Sequence, residues 1–186
     1  MVLPVYLYGH PVLRKQAVEV PADYPELKKL IDDMWETMYH SDGVGLAAPQ
    51  IGKSIRLIVL DGSALGDSFP ECKDSKMTLV NPVLEVIDDM EPVSRDEGCL
   101  SLPGISEPVK RVEHVRLSWQ DERFQPHEAE FSGFLARIMQ HEYDHLLGKV
   151  YIDHVSPIRK SLIRNKLNNI VRGKIRCDYK VKTAPK

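Results

Sequence analysis

The chain has 186 residues, 42% of them hydrophobic and 28% charged, with a formal net charge of −2. That is the composition of a soluble globular protein, and the length suits one domain with its own core over residues 1–186. No apolar run approaches the roughly 20 residues of a membrane span, and three cysteines are too few and too odd a number for a disulfide framework.

The opening residues, MVLPVYLYGHPVLRK, lack the basic start, apolar stretch and cleavage site of a secretory signal. We therefore expect a cytoplasmic protein with reduced thiols. Charge is distributed unevenly. Ten Lys/Arg and one acid, Asp178, lie between Arg159 and Lys186, so this stretch carries +9 and the remainder −11. A basic C-terminal helix and tail from about residue 156 suits a polyanion such as ribosomal RNA, or equally a solvated helix face. Neither DNA nor a membrane is expected as a partner.

Near the start, Asp23-Tyr-Pro-Glu predicts a helix with Pro25 in its first turn. Leu27, Leu30, Ile31, Met34, Trp35 and Met38 form its apolar stripe, and Gly43 lies just past its end. Residues 43–50, GVGLAAPQ, are small enough for backbone to lie against a substrate, or for a tight turn. IRLIVL at 55–60 predicts a buried strand, and 61–76 a loop. Strands follow at 78–88, 112–119 and 127–131, the first interrupted by Asn81-Pro82 at an edge or a bend.

A helix is then predicted between Ser132 as N-cap and Gly148 just past the C-terminus. Ser156-Pro157 opens a last helix with Ile158, Leu162, Ile163, Leu167, Ile170 and Val171 as its stripe, ending near Gly173. Strands come first and helices do not alternate with them. The expected class is α+β, with antiparallel sheets packed around a central helix carrying an HExxH motif, and a C-terminal helix.

That motif is QHEYDHLLG at 140–148. His141 and His145 share a helix face and can bind one metal ion, with Glu142 beside it. A catalytic site of this kind usually has a third protein ligand. The metalloprotease pattern HExxHxxGxxH fails here because Tyr151 occupies its last position, and no glutamate follows residue 145. His154 has no pattern behind it. Upstream, EGCLS at 97–101 offers Cys99, a strong thiolate ligand next to a glycine. Cys72 lies in an acidic loop that disfavours the thiolate, and Cys177 in the tail. HExxH also arises by chance, and a lone cysteine is often a small core residue, so either signal alone leaves the matter open.

GVGLAAPQ, EGCLS and QHEYDH in this order resemble the peptide deformylases, whose pattern is G-φ-G-φ-A-A-x-Q, then EGC-φ-S, then HExxDH or a near variant, where φ is apolar. GHPVLR at 9–14 looks like that family's N-terminal segment. The resemblance implies one divalent ion on Cys99, His141 and His145, iron(II) by expectation, with zinc, nickel or cobalt able to substitute. It implies Glu142 as general acid/base. Gln50 and the Leu100 backbone N–H would form an oxyanion hole, and Gly45 would pair its backbone with the substrate. The implied reaction removes the formyl group from N-formylmethionyl nascent peptides and releases formate.

An apolar methionine pocket is expected from Val44, Ile138 and Leu135. Arg111 is a candidate partner for Asp144, and Glu97 a candidate anchor for the Cys99 loop. Ser106 stands near where some family members carry an arginine. Two other classes are weighed: an HExxH zinc endopeptidase, which lacks its downstream ligand, and a non-enzymatic RNA-binding protein, for which Tyr179 is the tail's one stacking aromatic.

Overall fold

Nine strands and three α-helices follow one another irregularly along the chain, in a computed structural model that describes residues 1–186. The strands are β1 (Val5–Tyr6), β2 (Gly45–Ala47), β3 (Leu57–Leu60), β4 (Met77–Val86), β5 (Val93–Cys99), β6 (Leu102–Arg111), β7 (His114–Gln120), β8 (Pro126–Ser132) and β9 (Val181–Lys182). The helices are α1 (Leu27–His40), α2 (Gly133–Leu146) and α3 (Pro157–Val171). Strands β2-β3-β4-β7-β8 form an antiparallel sheet, β5 and β6 an antiparallel hairpin, and β1 and β9 a short parallel pair. The α+β expectation with mostly antiparallel sheets agrees with this architecture.

Strand β3 explains why its sequence is apolar throughout. Leu57 and Val59 pack with Ile31, Met34 and Met38 of α1, whereas Ile58 and Leu60 pack with Ile138 and Met139 of α2. Successive side chains point to opposite faces, so a strand covered on both sides needs no polar positions. A third cluster joins Leu102, Ile105 and Val109 of β6 to Ile163 and Ile170 of α3.

Several local expectations need correction. α1 begins at Leu27, after Pro25, because Glu26 takes a left-handed φ of 53°. At its end Asp42, not Gly43, is the left-handed residue (φ 56°), and Gly43 N–H closes the turn on Met38 O at 2.9 Å. Asn81-Pro82 is a bulge within a strand paired on both sides, not an edge. Asn81 (φ 50°) substitutes side-chain bonds for the lost ladder, accepting from Val20 N–H and donating to Val20 O and Gln120. The stripe of α3 is only half covered: Ile163 and Ile170 are buried, but Ile158 and Leu162 are 75% and 66% exposed.

Helix α2 starts and stops as its sequence suggests, with one difference. Gly148 (φ 73°) follows the last turn, and Lys149 N–H reaches Asp144 O at 2.9 Å. At the other end the Ser132 side chain makes no cap. Glu71, from the 61–76 loop, accepts from Phe134 N–H at 2.7 Å instead. Phe69 of that loop stacks on Phe134, centroids 4.4 Å apart, so the loop is tied to the start of α2. No helix is long and apolar enough to cross a membrane.

Candidate active site

Two elements bring three donor side chains together. His141 and His145 lie one turn apart on α2, and Cys99 ends β5, where the hairpin register shifts so that Cys99 faces Leu102. One donor atom from each lies within 4.8 Å of the others, and Cys99 Sγ is 3.4 Å from His145 Nε2. Burial opposes ionisation of the thiol, but the two imidazoles, His145 foremost, outweigh it and bring Cys99 down to about 5.

His141 is fixed from behind. Its Nδ1 lies 2.9 Å from Glu97 Oε1, which leaves Nε2 for the cluster side. Glu97 is buried, yet Arg111 donates to both its oxygens and Arg137 donates to Oε2 at 2.7 Å. Burial alone would raise this carboxyl; His141 and Arg111 instead hold it well below the usual range. Arg111 reaches on to Asp144 at 3.1 Å, and Arg137 to Glu113 at 2.8 Å. Asp144 also pairs with His154 at 2.8 Å, so His154 is committed away from the cluster. The expected Arg111–Asp144 contact and the anchoring position of Glu97 are both present. Arg137 and Glu113 were missed, since charged residues on a helix and in the connection between β6 and β7 read as surface until burial is known.

Glu142 is buried beside Gly45. A Cβ built on Gly45 would lie 2.5 Å from Glu142 Oε1, so the glycine makes room for this carboxylate. Burial raises the Glu142 pKa, and its Oε2 has no hydrogen-bond partner; neither has His145 Nδ1. Unpaired buried oxygen and nitrogen are costly, and they are common where a site awaits a ligand. Gln50 faces the cluster from the turn after β2. Its Oε1 accepts from Ala47 N–H, and its Nε2 donates to Cys99 Sγ at 3.3 Å and Ser101 Oγ at 3.2 Å.

Cys99, His141, Glu142 and Gln50 line a pocket of about 520 Å³, together with Val44, Gly45, Leu100 and Ile138. Leu135 is in the core and does not line it. Phe134, Leu65 and Ile105 also contribute apolar wall, and residues 176–179, expected as tail, line one side. Cys72 is buried in the core and its thiol is pushed up to about 11, by burial first and by Glu71 second.

The donor set suits a divalent transition metal: a low-pKa thiolate, two imidazoles, and a carboxylate fixing one ring from behind. Comparison with known proteins agrees. The family described as polypeptide deformylase matches residues 2–161. A peptide deformylase of Christiangramia forsetii is 40% identical over 190 residues, covering 98% of this chain and 96% of the relative. One of Flavobacterium psychrophilum is 41% identical, covering 100% and 99%. The crystal structure of a peptide deformylase from Legionella pneumophila is 38% identical, with a TM-score of 0.79 over 94% of this chain and 98% of that one. Sequence along the whole chain and fold therefore give one answer: this chain belongs to the peptide deformylase family.

Proposed function

We propose that this chain removes the formyl group from N-formylmethionyl nascent peptides in the cytoplasm, releasing formate. The observation that carries the reading is the convergence of Cys99, His141 and His145 donors within 4.8 Å, beside the buried and half-unpartnered Glu142. In this reading α2 is the central helix of the fold, and its HExxH segment is the floor of the site.

Cys99, His141 and His145 would hold one divalent ion, iron(II) in the cell, with zinc, nickel or cobalt able to replace it. When bound, the ion supplies Lewis acidity and lowers the pKa of water. The chain's residues do the rest. Glu142, whose carboxyl burial pushes upward, would take a proton from water and return one to the leaving amine. Gln50 Nε2 and the Leu100 N–H would meet the negative charge developing on the formyl oxygen, each donor worth about 2.7–4 kcal/mol in well-studied hydrolases. The Leu100 N–H has no acceptor within the chain, which leaves it free for this role. Gly45 would pair its backbone with the peptide, and Val44 and Ile138 would wall the methionine side chain.

The endopeptidase alternative is not favoured, because the third donor comes from upstream and His154 is held by Asp144. The test is formate release from formyl-Met-Ala-Ser by protein purified anaerobically and reloaded with iron(II) or nickel, with acetyl-Met-Ala-Ser as control. Release from the formyl peptide alone is expected. Equal cleavage of both, or digestion of unblocked casein, contradicts the reading.

A further inference from the structure

The segment after α3 does not leave the molecule. Gly173 (φ 69°) ends the helix, and the chain returns across the cleft to pair β9 with β1. Val5 N–H donates to Lys180 O and Leu7 N–H to Lys182 O, both at 2.9 Å. Ile175 and Val181 pack against the cluster that contains Leu7 and Leu102. Between these anchors, Tyr179 is half-buried and its hydroxyl donates to Leu100 O at 2.7 Å.

That contact falls on the most sensitive turn in the molecule. Cys99 faces Leu102 in the hairpin, so Leu100 and Ser101 are its two loop residues. Both loop carbonyls are taken from outside the hairpin: Leu100 O by Tyr179 and Ser101 O by Tyr8 N–H at 2.8 Å. Gln50 fastens the same turn through Cys99 Sγ and Ser101 Oγ. A two-residue loop can rotate its peptide planes unless its carbonyls are held, and here the small β1–β9 sheet delivers both restraints.

We propose that Tyr179 is a positioning residue for deformylation: its hydroxyl holds the Cys99–Ser101 turn, and with it the Leu100 amide, so that residues 176–179 are a built wall of the substrate site. This rests on the deformylase reading. Tyr179 acts on the reaction through Leu100 and needs no contact with the reacting atoms.

The test is Tyr179→Phe in the full-length, metal-loaded enzyme, which keeps the ring and removes only the donor. On formyl-Met-Ala-Ser, kcat should fall roughly tenfold, a fraction of the roughly 100-fold that 1 Å of misplacement can cost. KM and metal content should change little, because the loss is confined to the transition state. The Tyr8 amide, which donates to Ser101 O across this turn, should exchange with deuterium faster than in the wild type. Unchanged kcat, a rise in KM alone, or unchanged exchange each overturns the proposal. Wild-type enzyme that releases no formate contradicts the deformylase reading instead, and the exchange rates then decide by themselves whether Tyr179 holds the turn.

Discussion

At Gly45 the backbone leaves no room for a side chain, and the obstacle is Glu142. The small residues of GVGLAAPQ suggest a close approach to substrate, but they do not say that the nearest neighbour is the proposed proton carrier. Gly45→Ala should push the Glu142 carboxylate aside at an overpacking cost of about 1–3 kcal/mol. Activity should suffer more than stability, with kcat reduced at least about tenfold by the displaced carboxylate. Thermal melting and steady-state kinetics on the same preparation check this; turnover near wild type contradicts the packing account. Cys99, His141, Glu142 and His145 were legible in the sequence because their chemistry and spacing are restrictive. Arg137 was not, although it is 1% exposed, because a charged residue betrays its burial only through partners distant in sequence.

Besides the short β1, β2 and β9, the element not legible in the sequence is the hairpin carrying Cys99. Strand β6 does alternate, but two of its inward positions are Glu107 and Arg111, both buried in ion pairs. Charges in core positions hide the period of two on which strand prediction depends. β5, with the sequence VSRDEGC, conceals itself in the same way. Helices fared better, since caps and apolar spacing lie within the element itself.

For α3 the reverse holds. Its stripe promised burial, yet Ile158 and Leu162 stand in solvent, and Lys160, Arg164 and Lys166 are exposed elsewhere around the same helix. We propose that the exposed side of α3 contacts ribosomal RNA while the following segment stays on the enzyme. Replacing those three bases by glutamate should weaken ribosome co-sedimentation at low salt, since phosphate contacts dominate such binding. Co-sedimentation unaffected by the charge reversal rules the contact out.

Across the whole molecule, long-range ties hold the ends of the chain to the site. Arg14, in the turn at Pro11–Arg14, donates to both oxygens of Asp153 at 2.6 and 3.2 Å, joining the N-terminal region to the segment after α2. Burial opposes ionisation of Asp153, but Arg14 outweighs it and holds the carboxyl below its ordinary value of 3.8. A carboxyl depressed on folding adds stability above its unfolded pKa and loses it as pH falls through the folded one. Asp153→Asn should therefore lower Tm at neutral pH, and its gap from wild type should narrow below the ordinary value of 3.8. Melting curves across that window check the sign; a gap that widens on acidification contradicts it. None of this tie is legible locally, because its partners are 139 residues apart.

The central claim is a division of labour: two elements supply three donors that hold a metal ion, and Glu142 moves the proton. Metal content and formate release measured side by side on Glu142→Ala and Cys99→Ala test it most directly. The account predicts that Glu142→Ala retains its metal and loses turnover by a factor on the order of 100 to 10,000, and that Cys99→Ala loses both. Near-normal formate release by Glu142→Ala, or full metal retention by Cys99→Ala, would contradict it.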